Sequence, residues 1–299
     1  MPQYDVLVVG GVGIDTIVRV PSLSLPCVDS IQVPPVRDYV GHTGNGVALG
    51  CHALGLRTKF IDFIGEDPQA ALILARYRQT GLDFSHLVHA SGTRRAVNLV
   101  DPQGRRLSLY DRRHPDSLRM PRDFHLPFLR AARHAHFSIM NWTRELYDDA
   151  FALGVTVSTD LHNWNGTDDY HRDFALRSDL VFMSTAALQG RHEQIMCEVL
   201  QQGRAQAVIA MAGEHGSYLL AHDDPTVRHF ACAELQRPVV DSNGAGDSFV
   251  AAFLFAHFQG QPLEACMRAG AVAGAYACGC HGTHEEFITR ELLERYCAA

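Results

Sequence analysis

Short apolar runs recur along the chain at Val6–Val9, Lys59–Ile64, Val155–Thr159, Leu180–Met183 and Ala207–Met211. Most are followed by a longer amphipathic stretch such as Val47–Leu54 or His192–Gln202. Short continuous runs rich in Val, Ile and Phe predict strands buried on both faces, and the longer segments predict helices laid over them. Their alternation predicts an α/β fold, a Rossmann-like, largely parallel sheet with helices on both faces. Phe249, Ala252, Phe253 and Ala256 fall at i, i+3, i+4 and i+7, the buried face of a helix that Gly260 and Pro262 stop. Arg237–Val240, just upstream, reads as the tail of a strand.

Two stretches depart from this pattern. Residues 16–40 carry Pro21, Pro26, Pro34 and Pro35 without a helical period, and residues 94–112 read as two strands around an Asp101-Pro-Gln-Gly104 turn. Two β-rich excursions suit a small sheet acting as a lid. With no internal repeat, low-complexity tract or clear linker, the expectation is one α/β domain over 1–299 with lid excursions at about 16–40 and 94–112.

Composition narrows the class. The net charge of −7 argues against a general nucleic-acid binder, which needs a dense basic surface. The longest apolar run, FVAAFLFAHF, is about half the ~20 residues of a spanning helix, so no membrane partner is expected. The start MPQYDVLVVGGVG has no cationic region before its apolar run and is not read as a signal peptide. The eight cysteines are scattered, as reduced thiols in a cytoplasmic protein would be. In that compartment the sequons at Asn141 and Asn165 carry little weight.

The chemistry concentrates in VVDSNGAGDSF, Val239–Phe249. Gly244, Ala245 and Gly246 leave backbone N–H groups open at a helix start, where the macrodipole favours an anion. A carboxylate in the same turn repels phosphate unless it has its own task. That task is to take the proton of a hydroxyl nucleophile beside a phosphoryl group, with Gly244, Ala245 and Gly246 as anion hole and Asp247 as general base. Taken alone, the motif reads equally well as an ordinary tight helix entry with a dipole-favoured Asp.

The wider sequence bears on that choice. DSNGAGDSF resembles the C-terminal signature of the ribokinase-like (PfkB) family of carbohydrate kinases, with Ser242 where the family usually has Thr. GHTGNGVALGCHALG, Gly41–Gly55, resembles its N-terminal signature, and Gly65-Glu-Asp67 and Thr80–Leu87 match further segments in order. The resemblance implies a ribokinase-like fold with a β-lid, and transfer of the γ-phosphoryl of ATP to a sugar hydroxyl with Mg2+. It also implies a monovalent cation, K+, near Asp241 and Ala277–Thr283, and a homodimer through the lid.

The resemblance also assigns the acceptor side. Asp15, where the family holds substrate hydroxyls, is one candidate; Asp29, in VDSIQV, resembles a ketohexokinase-branch lid segment and is another. The family's glycine pair is replaced at its second place by His42, so either Asn45 or His42 reaches the sugar. Gly213 and Gly216, in AGEHG, resemble a turn near the nucleotide, and could equally form a tight hairpin. The lid region is dense in arginine, at Arg94, Arg95, Arg105, Arg106, Arg112 and Arg113. Forked guanidiniums suit phosphate, and Arg105 aligns with a phosphate-facing arginine of the ketohexokinase branch. At Val181–Leu188 the family's N-x-x-E is absent, with Ser184 and Ala187 in its place, so no metal ligand is carried over. CGCHGTH, Cys278–His284, lacks the second ligand pair of a zinc site and reads instead as a loop beneath the nucleotide. Trp142 and Trp164 follow strands and are candidates to line the acceptor pocket or to pack.

VVGGVGID is not a dinucleotide fingerprint, because Asp15 replaces the third glycine and TIVRV is strand-like where a helix should start. The expectation is a sugar kinase acting on a free ketohexose or related sugar. A nucleoside kinase of the same family, or a non-catalytic sugar or nucleotide sensor, are the alternatives.

Overall fold

The computed structural model describes residues 2–280 and 282–298. Its first half runs β1 (Tyr4–Val9), β2 (Gly13–Arg19), β3 (Arg37–Gly41), α1 (Thr43–Ala53), β4 (Thr58–Ile64), α2 (Pro68–Thr80), β5 (Asp83–Val88), β6 (Arg95–Val100) and β7 (Arg106–Asp111). It continues through α3 (Arg122–Ala131), β8 (Ala132–Phe137), α4 (Leu146–Ala152), β9 (Thr156–Asp160), α5 (Asp169–Arg177), β10 (Leu180–Ser184) and α6 (His192–Gln202). The last part is β11 (Ala207–Met211), β12 (Ser217–Ala221), β13 (Arg228–Phe230), α7 (Ala245–Phe258), α8 (Leu263–Cys278) and α9 (Arg290–Ala298).

Nine strands form one sheet in the order β13-β12-β11-β10-β9-β8-β1-β4-β5, in which β12 alone runs against the others, antiparallel to both β11 and β13. Strand period sorts the side chains: Val6 and Val8 of β1 join a core with α1, α7 and α8, while Leu7 and Val9 join one with α3 to α6. Both faces are therefore buried, as the continuous apolar runs predict. α7 is buried from Asp247 to Ala256, so it is a central helix rather than a surface one.

The second sheet has the order β3-β2-β6-β7 and draws its strands from the two β-rich stretches. Residues 20–36 between β2 and β3 form no helix or strand. On β6 and β7, Ala96, Asn98, Arg106, Ser108 and Tyr110 line the space above the main sheet. Leu107 and Leu109 alternate with them and are exposed on the outer face.

One local expectation fails. Arg237–Val240 is not a strand: the N–H groups of Val240 and Asp241 both donate to Cys278 O at the end of α8 (2.8 and 3.1 Å), and Val239 is exposed. The segment packs its backbone on a helix terminus, so no sheet neighbour is left for it.

Candidate active site

Strand order reverses about β1, which has β4 on one side and β8 on the other. A crevice opens at such a point, outside the carboxyl ends of the strands. Here it is a cavity of about 520 Å³ under the lid, lined from the turns after β1, β8 and β9, from the lid, and from the start of α7. Gly11 has φ +87°, and a Cβ there would stand 2.7 Å from Gly44 N. The glycine thus lets the end of β1 press against the start of α1.

Asp247 lies in the first turn of α7, is 7 % exposed and lines the cavity. Its Oδ2 receives a 2.7 Å hydrogen bond from His284 Nε2, and Oδ1 has no partner among the described residues. Gly244, in the left-handed region at φ 77°, caps the helix without a side-chain hydrogen bond. The Ala245 amide leans on Ser242 O at 3.3 Å, while the Gly246 and Asp247 amides find no backbone acceptor among the described residues. A Cβ at Gly246 would make ordinary van der Waals contact with the Met211 side chain, Cε at 3.6 Å, and of this turn Gly244 and Asp247 line the cavity while Ala245 and Gly246 do not. Helix-start amides without a backbone acceptor fit a phosphoryl group.

The lid is rooted beside this floor. Arg94 and Asp62, both fully buried, form an ion pair, and Arg94 Nε also donates to Val12 O at 3.1 Å. Asp62 accepts from Val12 N at 2.8 Å and Phe63 N at 2.7 Å. The roots of β2 and β6 are thereby clamped to β4. Thr93, next to Arg94, donates its N–H to Asp67, which also caps α2 through Ala70 N.

Several polar atoms on the cavity wall are buried without a partner: His42 Nε2, His114 Nδ1, Trp142 Nε1 and Thr283 Oγ1. His42 Nε2 stands 3.4 Å from Asp15 Oδ1 but outside hydrogen-bond geometry. Burial pushes the His42 imidazole down to about 4 despite Asp15, so it is neutral at ordinary pH. Unpaired buried polar atoms are uncommon, and several around one cavity suit a ligand rich in hydroxyls.

His162, also on the cavity wall, sits at φ 51°, its Nδ1 3.4 Å from Asp160 Oδ2 and its Nε2 3.4 Å from Oγ1 of Thr43, the neighbour of His42. Burial opposes charge on both groups, yet mutual attraction wins. It holds the Asp160 carboxyl below the usual carboxylate range, and Asp160, helped by Asp247, holds the His162 imidazole above its usual one. The setting of His162 therefore favours its protonated form more than that of a free imidazole does, and Arg106 adds a second basic group to the cavity wall.

Of the residues singled out in the sequence, Asp15, His42, Gly244 and Asp247 meet in this cavity. Asn45 does not line it: fully buried, its side chain bonds Tyr77, Val40 and His284 instead. Asp29 is exposed in the irregular part of the lid and also stands apart. Arg105 points into solvent at the hairpin and pairs with Asp101, whereas Arg106, the next residue, faces the cavity and reaches Asn243 Oδ1. Strand alternation after the turn is the signal that would have separated the two. Gly213 and Gly216 form the turn between β11 and β12, off the cavity but two and five residues beyond Met211, whose side chain lies where a Cβ on Gly246 would meet it. Asp241 Oδ2 is buried without a hydrogen-bond partner, although Arg19 Nη2 stands 3.8 Å away. In Cys278–His284, His281 lies outside the described residues, and His284 joins the site. Trp142 lines the cavity, while Trp164 is buried and donates to Asp168 O. The sequence does not single out His162, and it offers His284 only as the end of the Cys278–His284 loop, with no role beside Asp247.

A family model described as pfkB family carbohydrate kinase matches residues 174–290. The acarbose 7(IV)-phosphotransferase of an Actinoplanes species is 46 % identical over 292 residues, covering 97 % of each chain. A solved structure of a microbiome-derived acarbose kinase superposes with a TM-score of 0.93 at 50 % identity, covering 99 % of this chain and 100 % of the other. Ribokinase from Giardia lamblia has the same fold, with a TM-score of 0.86 at 14 % identity and 99 % of each chain covered.

Proposed function

The chain belongs to the pfkB family of carbohydrate kinases and is an ATP-dependent sugar phosphotransferase, and we propose that its acceptor is acarbose or a close carbohydrate relative, phosphorylated with Asp247 as general base. The observation that carries the chemistry is the single free oxygen of Asp247, beside helix-start amides without backbone acceptors, in a turn whose Gly244 and Asp247 line the cavity. In this reading an acceptor hydroxyl gives its proton to Asp247 Oδ1. Its oxygen bonds to the γ-phosphorus as the bond to the bridging oxygen breaks, and that electron pair leaves on ADP. The Gly246 and Asp247 amides, His162 and Arg106 face the charge on the transferring group. Bound Mg2+ neutralises phosphate charge; no side chain here is assigned to it, since Ser184 and Ala187 are not carboxylates.

Asp15, His42, His114 and Trp142 would hold acceptor hydroxyls, and Trp142, Tyr110 and Tyr170 offer sugar-facing rings. The nucleotide would run from the start of α7 towards the Gly213–Gly216 turn. The buried, unpaired Asp241 Oδ2 and Thr283 Oγ1 are hard oxygens of the kind a K+ ion takes, which supports a cation site at the end of α8. The near full-length relationship to acarbose phosphotransferases favours that acceptor over a free ketohexose or a nucleoside.

ATP consumption with Mg2+, with and without K+, on acarbose, free ketohexoses and nucleosides tests the reading. Turnover on acarbose that collapses in Asp247→Asn is expected; preferred turnover on a ketohexose or nucleoside would displace the acceptor assignment. The exposed Leu107 and Leu109 support a homodimer through the lid, which sedimentation showing only monomer at micromolar concentration would remove. All eight cysteines are unpaired, which supports a reducing cytoplasm. No helix among the described residues is long and apolar enough to cross a membrane.

A further inference from the structure

Behind Asp247 runs a buried chain of polar groups drawn from four separate parts of the fold. Tyr77 of α2 donates its hydroxyl to Asn45 Oδ1 at 2.8 Å. Asn45 of α1 stands 3.1 Å from both Val40 O and His284 Nδ1 through its amide nitrogen. His284, from the segment after α8, then reaches Asp247 Oδ2 of α7 at 2.7 Å.

The chain has one direction. The Val40 carbonyl only accepts, so the Asn45 amide nitrogen must face it, and Oδ1 is left for the Tyr77 hydroxyl. Both amide hydrogens are then used, the second on His284 Nδ1. That nitrogen must present its lone pair, which puts the ring proton on Nε2, aimed at Asp247. A proton on Nδ1 would oppose two donors head to head.

The surroundings are fitted to the ring. A Cβ at Gly46 would lie 2.3 Å from His284 Nε2, and one at Gly244 would lie 2.7 Å from its Cδ2. Phe287 stacks on the ring at 14° between planes, and Arg76 Nη2 holds the His284 carbonyl at 3.0 Å. The backbone of His284 takes φ 59°, a region that costs a side-chain-bearing residue energy.

We propose that His284 is a positioning residue for the phosphoryl transfer. Its Nε2–H fixes Asp247 Oδ2 and so reserves Oδ1 for the acceptor proton, while Asn45 and Tyr77 hold the histidine in the one tautomer that can do this. This rests on the assignment of Asp247 as base. His284 meets neither substrate in this role, so its loss acts on turnover and not on binding.

The test measures kcat and KM for ATP and acarbose in His284→Leu, His284→Gln, Asp247→Asn and the double variant Asp247→Asn with His284→Leu, each with its melting temperature. In His284→Leu, kcat should fall about 10–100-fold, the usual scale for a group that orients a reacting one, with both KM values within about three-fold. His284→Gln can donate to Asp247 and accept from Asn45, and should recover most of that loss. In the Asp247→Asn background His284→Leu should cost little more, because there is no base left to orient. His284→Asn, too short to span the gap, takes the place of Leu if that variant does not fold. Near wild-type turnover in His284→Leu, an unchanged multiplicative loss in the double variant, or a folded Gln variant no better than Leu would each overturn the proposal while leaving Asp247 as base. Wild-type turnover in Asp247→Asn would overturn the base and the proposal with it.

Discussion

Asp62 and Asp247 are both buried aspartates near the cavity, and their surroundings differ. Both oxygens of Asp62 are engaged: Val12 N and the Arg94 guanidinium take Oδ2 and Phe63 N takes Oδ1, and it is fully buried. Asp247 has one oxygen held by His284 and the other left to the cavity. A carboxylate with both oxygens engaged and no face on the cavity holds structure, whereas one with a free oxygen keeps an acceptor site for a reacting proton. Burial alone would have ranked Asp62 first; the free oxygen ranks Asp247 first.

Substitutions by asparagine should separate the two most sharply. Asp247→Asn is expected to lower kcat by about 10²–10⁴-fold, the range for a lost general base, with melting unchanged because the amide oxygen can still accept from His284. Asp62→Asn should do the reverse in kind: stripping the charge opposite buried Arg94 costs about 3–5 kcal/mol, read as a lowered denaturation midpoint. Equal losses of stability in both would erase the distinction.

Acid offers a gentler probe of the surroundings. The buried His136 and the largely buried His42 have imidazoles pushed down to about 4 by burial, and burial also pushes the His134 imidazole well below its usual value. As pH falls from about 6.5 towards 4 the unfolded chain takes up protons that the folded chain refuses, so stability is lost on acidification over that window. Asp160-paired His162 has the opposite sign: its raised value adds stability in acid that disappears as pH rises through it. His86, His114 and His257 are lowered as well, so six histidines stand against one, and the melting temperature should fall by about several degrees between pH 6.5 and 5; a flat profile there would mean the histidines reach water.

The smallest expected effect is in Tyr77→Phe. Losing the hydroxyl that fixes Asn45 should lower kcat about 2–10-fold, the worth of one hydrogen bond, with KM unchanged. A shift in KM instead would return Asn45 to the acceptor side of the site.

Much of the fold was legible because it is written locally. The apolar runs at Val6–Val9 and Leu180–Met183 are strands, and the Phe249-Ala252-Phe253-Ala256 spacing is the buried face of α7. Asp247 and its glycines share one turn, so one motif reveals them. His284 is different: its contacts lie 37 and 239 residues away in sequence, at Asp247 and Asn45, and no local pattern encodes them. The place of Asn45 is hidden for the same reason, since besides Val40 the groups that claim its amide come from α2 and from beyond α8. The choice between Arg105 and Arg106 was accessible in principle, but only once the strand start was fixed to the residue.

The clamp at the base of the lid divides the molecule into exchangeable parts. β2 and β6 enter the lid through Val12 and Arg94, both tied to Asp62, while Asp247, Gly246 and His284 lie outside the lid sheet. What the other lid strand positions select is thus encoded apart from the residues proposed for the transfer step, with Arg106 of β7, which reaches Asn243, the one lid residue assigned to both. A lineage can retune its menu of acceptors by drift in residues such as Asn98, Ser108 and Tyr110 while Arg106 and the floor are kept. For the engineer the same seam is a grafting boundary: a foreign lid cut at Val12 and Arg94 brings a new acceptor surface, provided that an arginine is kept at the place of Arg106.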